Sequence, residues 1–75
     1  MELKSFIADF ADQFDETDAS EITAQTSFHD LDEWSSLIAL AVLNMTEKKY
    51  GKRLTFDDMK GCDTVEDLFN VIQSK

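Results

Sequence analysis

The sequence contains no proline and only two glycines, Gly51 and Gly61. Little in it opposes helix, and little supplies the tight turns that an all-β fold needs. The single cysteine, Cys62, excludes an internal disulfide, so the composition suits a reducing compartment. The only histidine, His29, has no glycine-flanked serine to serve, so the nucleophile elbow of a serine hydrolase is missing. The longest uninterrupted apolar run, Leu37 to Leu43, is far too short to span a membrane. The opening residues, MELKSFIADF, carry Glu2 and Asp9 among their apolar residues and do not read as a secretory signal. The expected address is the cytoplasm.

Bases are scarce too. The 75 residues carry 16 Asp and Glu against 7 Lys and Arg, a net charge of −9. Residues 1–33 hold ten acids and one base, and the rest hold six of each. This charge repels nucleic-acid phosphates, so no nucleic-acid partner is expected. It suits solubility and steering toward basic protein surfaces. The length fits one domain over residues 1–75, expected as a monomer. So short a chain builds one core and little more, which argues against a deep catalytic pocket and against an enzyme.

Leu3, Phe6, Ile7, Phe10 and Phe14 form a helical stripe, which predicts an amphipathic helix over 2–14. From Asp15 to Trp34 the periodicity fades into an acidic, hydroxyl-rich connection anchored by Ile22, Phe28 and Leu31. Such a length predicts either a hidden helical turn or a functional loop. A second helix is predicted over 36–50, with Ser35 as N-cap, Gly51 just past the end, and Lys48 and Lys49 in the last turn. Its first half is apolar nearly all round. Val42, Leu43 and Tyr50 fall on one side, and Leu37, Ile38, Ala41 and Met45 on another, so the second face is either buried or kept for a partner. A short helix over 55–60 opens on Thr55 with Asp58 three residues on, and Gly61 is expected to stop it. A last helix over 64–73 opens on Thr64 with Asp67 and carries Val65, Leu68, Phe69 and Ile72. The fold class is all-α: a small bundle of three main helices plus one short helix, with a long loop between the first two.

Several groupings invite chemistry and do not carry it. Asp30, Asp32 and Glu33 cluster, as do Asp15, Glu16 and Asp18, but neither follows the order of a calcium loop, so no dedicated metal site is expected. Lys48, Lys49, Lys52 and Arg53 suit the negative end of the second helix without further purpose. Cys62 has only Lys60 as a basic neighbour and reads as a packing residue. Ser36 differs. With Ser35 filling the cap, Ser36 falls on the first helical position, where a phosphate ester would meet the positive end of the helix dipole.

At these residues the sequence resembles the acyl carrier protein family. That family carries Asp-Ser-Leu at the start of its second helix, and the segment here is Ser35-Ser36-Leu37. Glu47-Lys48-Lys49-Tyr50 is similar to the family's acidic-x-x-aromatic end of that helix, Leu54 to the aliphatic residue that follows, and Thr64-Val65 to the start of the last helix. The resemblance implies a carrier rather than a catalyst. It implies a 4′-phosphopantetheine arm placed on Ser36 from coenzyme A by a phosphopantetheinyl transferase. The arm would hold an acyl or aminoacyl group as a thioester for loading and using enzymes: a ligase, a synthase or a transferase. Family contacts with partners would fall on Ser35, Leu37, Ile38, Ala41, Asn44, Met45, Glu47 and Lys48.

The chain departs from the pattern at informative places. Ser35 stands where the family has Asp, and Asp32 and Glu33 are expected to substitute for that carboxylate. Ile38 and Ala41 stand where fatty-acid carriers place acids, and Lys48 reverses a charge. Position 46, usually apolar, is Thr. Trp34 resembles a subgroup with Glu-Trp-Asp-Ser-Leu that serves specialised pathways. Trp34, Leu37, Ile38, Ala41 and Met45 are therefore expected to form an apolar surface beside the arm. The competing readings are an unmodified carrier-like interaction module and a small helical regulator that binds a groove.

Overall fold

A computed structural model describes residues 2–75. Among them four α-helices follow in order, α1 (Leu3–Ala11), α2 (Ser36–Tyr50), α3 (Phe56–Lys60) and α4 (Val65–Gln73), with no β-strand. This is the small all-α bundle that the apolar spacing implies.

Helix α1 stops three residues before the end of its apolar stripe. Past Ala11 the bonding tightens to three-residue spacing, with Gln13 N–H donating to Phe10 C=O and Phe14 N–H to Ala11 C=O, each at 3.1 Å. A tightened final turn of this kind keeps side-chain direction while ending the α-helix. Phe14 therefore stays buried although it lies outside the helix.

The α1–α2 connection contains two single 3-10 turns, Ala19–Glu21 and Phe28–Asp30. The first is capped reciprocally: Asp18 Oδ1 accepts from Ser20 N–H, and Glu21 Oε2 accepts from Asp18 N–H. Ile22 and Phe28 sink into the core. The backbone between them serves α4. The carbonyls of Thr26 and Ala24 accept the N–H groups of Val65 and Glu66 at 3.2 and 3.0 Å. These are donors that the first turn of a helix leaves without an internal partner.

Local chemistry explains the other helix ends. Gly51 adopts φ 66°, the left-handed conformation that closes α2, and donates its N–H to Glu47 C=O at 3.1 Å. Thr55 and Asp58 cap α3 reciprocally, as Thr64 and Asp67 cap α4. Gly61 follows α3 at φ −82°, so no left-handed glycine cap ends that helix. Its end comes instead from Cys62 N–H turning back to Met59 C=O at 3.1 Å, which delivers Cys62 into the core.

Phe6 lies at the centre of the packing, with ring centroids of Phe69, Tyr50 and Phe10 at 5.8, 6.0 and 6.2 Å. Helix α2 contributes Ala39, Val42, Met45 and Thr46. Thr46 is fully buried, and its hydroxyl donates to Val42 C=O at 2.9 Å. The polar atom at that position is thereby satisfied within its own helix. Asp9 of α1 ties down the far end of α2, accepting from Lys49 Nζ at 2.8 Å and from the Tyr50 hydroxyl.

Candidate functional site

The two serines at the head of α2 sit in different settings. Ser35 is extended (φ −155°, ψ 173°), and its Oγ accepts from Ile38 N–H at 3.4 Å. Its carbonyl accepts the first helical bond, from Ala39 N–H at 2.9 Å. Ser35 is the N-cap. Ser36 is the first residue of α2 and is exposed. No acidic residue occupies the first turn of α2, so no carboxylate of that turn offsets the positive end of the dipole.

Beside the serines lies an open cavity of about 350 Å³ between the head of α2 and α3. Trp34, Ala39, Phe56 and Met59 give it apolar walls, with Ser36 and Lys60 at its rim. His29 shapes it from the loop side. Its Nε2 lies 3.1 and 3.0 Å from the carbonyls of Met59 and Cys62. Carbonyls only accept, so the Nε2 proton is donated to both, and His29 fastens the loop to the end of α3. Cys62 is 2% exposed, and burial together with Asp67, Asp58 and Asp63 pushes its thiol up, away from the reactive thiolate.

The residues expected to form the apolar surface separate into three groups. Leu37 is 79% exposed and stands beside Ser36. Ile38, Ala41 and Trp34 are half-buried. Trp34 packs inward, edge-to-face with Phe28 at a centroid distance of 4.9 Å and nearly parallel to Phe10 at 6.1 Å. Met45 is only 6% exposed and belongs to the core, because it shares the inward side of α2 with Val42 and Thr46. Glu47 is exposed but lies about 16 Å along the helix axis from Ser36, at 1.5 Å per residue.

The pair expected to replace the missing carboxylate also divides. Asp32 is exposed. Glu33 is already engaged: Oε2 accepts from Asp15 N–H at 2.7 Å, and Oε1 accepts from Glu16 N–H, Thr17 N–H and Thr17 Oγ1 at 3.0, 2.8 and 2.8 Å. Partial desolvation pushes its carboxyl up, but these donors outweigh it and hold the group below the usual range. Two further residues of the site were not singled out from sequence. Leu40 is 46% exposed and Phe56 47%. Leu40 follows Leu37 at helical spacing, a signal that was available. The exposure of Phe56 depends on how α3 sits against α2, which has no local signal.

The small helical bundle thus presents an exposed, non-capping serine at a helix head, with an apolar cavity alongside. The family model described as "Phosphopantetheine attachment site" matches residues 4–72, and the chain belongs to that family. Its members carry a covalently attached 4′-phosphopantetheine and act as carriers that work with modifying and acyl-handling enzymes. No curated protein and no solved structure matches the chain. An exposed hydroxyl at a helix N-terminus is chemically suited to a phosphate ester of this kind. Among the described residues no helix is long and apolar enough to cross a membrane.

Proposed function

We propose that Ser36 is the attachment point, and that the chain is a non-enzymatic carrier domain over residues 1–75, working in the cytoplasm for a specialised pathway. The observation that carries this reading is the division of labour at the helix head. Ser35 Oγ is engaged by Ile38 N–H, whereas Ser36 is exposed on the first helical position. In the attachment step Ser36 Oγ forms a bond to the phosphorus of the pantetheine phosphate in coenzyme A. The bond to 3′,5′-adenosine bisphosphate breaks, and the serine proton leaves to the transferase or solvent. The head of α2 then faces a phosphodiester, whose charge its dipole and free N–H groups favour. When bound, the arm supplies a thiol that holds an acyl or aminoacyl group as a thioester. Leu37 and Leu40 present an apolar docking face on α2, with Ile38 and Ala41 beneath it and Phe56 across the cavity. This favours dedicated partner enzymes over those that read an acidic second helix.

The test is incubation with coenzyme A and a broad-specificity phosphopantetheinyl transferase, read by intact mass. A phosphopantetheine adduct on wild type and on Ser35→Ala, absent from Ser36→Ala, supports the reading. An adduct that survives Ser36→Ala removes it. No adduct with any transferase leaves an unmodified interaction module, the reading that the Ser35 departure favours.

A further inference from the structure

We propose that Glu33 is a positioning residue for the loop beside Ser36: its carboxylate latches the start of the α1–α2 connection to the segment that leads directly into the head of α2. The inference rests on Ser36 being the attachment point. Four donors from three consecutive residues converge on one side chain, at 2.7 to 3.0 Å. The donors come from 16 to 18 residues away in sequence, so the latch closes a long excursion of the chain. Only Trp34 and Ser35 separate Glu33 from Ser36.

The latch does little for the core. Phe14 and Ile22 are buried on either side of it, while every residue from Asp15 to Glu21 is exposed or half-buried. Nothing apolar pins that stretch, and Glu33 is what holds its first three residues. Nor is a carboxylate an easy choice here, because Asp15, Glu16 and Asp32 adjoin it in an already acidic half of the chain. Like charges oppose it, and the three backbone N–H groups and one hydroxyl offset them. A glutamine would offer one acceptor oxygen and turn an NH₂ group toward a donor.

Downstream, the same peptide run is fixed a second time. Trp34 N–H donates to Leu31 C=O at 3.0 Å, and its indole packs on Phe10 and Phe28. Residues 33 and 34 thus form a rigid stem under Ser35 and Ser36, and residues 15–17 are bound to its base. A transferase meets loop and serine as one ordered surface. Without the latch it must order residues 15–17 itself, which weakens binding and leaves the chemical step alone.

The experiment uses the whole apo chain, coenzyme A and a broad-specificity phosphopantetheinyl transferase, with rates measured across carrier concentration. Glu33→Gln is expected to raise the KM for the carrier roughly fivefold or more, with kcat within about twofold of wild type. Thr17→Val removes only the hydroxyl bond, is safe for the fold, and is expected to raise KM by less. Backbone NMR supplies a readout independent of modification. The amides of Asp15, Glu16 and Thr17 should shift and exchange faster in Glu33→Gln, while those of α4 keep their protection. A wild type that is modified while the KM of Glu33→Gln stays unmoved removes the latch and leaves the attachment site standing. A fall in kcat, or equal loss of protection in α4, shows a merely structural residue and overturns the proposal. A wild type that takes no arm, or a Ser36→Ala that still does, overturns the attachment reading and the positioning role with it.

Discussion

The indole of Trp34 lies nearly parallel to the ring of Phe10, offset beside it, with planes 14° apart and centroids at 6.1 Å. The contact joins the residue two before Ser36 to the last turn of α1. It makes Trp34 a structural support of the helix head first and a surface residue second. Trp34→Ala should therefore lower stability by about 2 kcal/mol, less than a fully buried tryptophan costs because Trp34 keeps part of its surface in water. Urea unfolding followed by far-UV circular dichroism checks this, since Trp34 is the only tryptophan and cannot report its own loss. An unchanged midpoint would mean that the stack is incidental.

At the opposite end of α2, the Tyr50 hydroxyl donates to Asp9, which also receives Lys49. Burial and this bond push the Tyr50 hydroxyl up to about 12 from 10.0. Its folded pKa lies above its unfolded one, so its contribution is complete below pH 10 and is lost as pH rises toward about 12. Asp9 runs the other way: the hydrogen bonds from Lys49, then Tyr50, lower its pKa from 3.8. Its contribution is complete above that value and fades as pH falls below it. Titration at 295 nm should show tyrosinate appearing well above pH 10, and alkaline loss of stability should flatten in Tyr50→Phe. Tyrosinate forming near 10 would sink the assignment.

How much could be read before the structure follows from how local each cause is. The starts of α2, α3 and α4 were legible because Ser35, Thr55 and Thr64 carry their caps within three residues. The end of α1 was not. No capping residue marks it, and the apolar stripe runs on through a tightened turn to Phe14. At the site, the cap at Ser35 was legible because a cap is a local device. Met45 was misplaced because an apolar residue on a helix that is apolar nearly all round does not declare which side is inside. The engagement of Glu33 was invisible for a different reason: its partners lie 16 to 18 residues upstream.

Ser35 invites a gain as well as a loss. Its cap bond is long, 3.4 Å, so Ser35→Ala should cost about 0.5–1 kcal/mol, the weak end for a helix cap. Ser35→Asp should stabilise α2 by several tenths of a kcal/mol, because a carboxylate there both caps and meets the dipole. It also restores the family's acidic residue before Ser36. Modification by a transferase should then be faster than in wild type, read as initial rate by mass. A Ser35→Asp protein that is more stable but no faster would show that this chain does not lack that carboxylate.

The apolar face of α2 yields the sharpest test of partner choice. Leu37 and Leu40 are too exposed to matter much for folding, so Leu37→Glu and Leu40→Glu should each leave stability within about 0.5 kcal/mol. Partner recognition should respond strongly, since centrally placed apolar residues dominate interfaces. Loaded wild-type protein is expected to be a poor substrate for a fatty-acid ketosynthase, which would meet Ile38 and Ala41 where an acidic helix is wanted. Ala41→Glu puts one acid back on the half-buried edge of that face and should raise turnover by that ketosynthase several-fold, about what one complementary charge contributes to steering. Two outcomes are decisive. Normal wild-type turnover would remove the case for dedicated partners. An unresponsive Ala41→Glu with intact loading would place the discrimination elsewhere than on α2, with Phe56 of α3 the next residue to change.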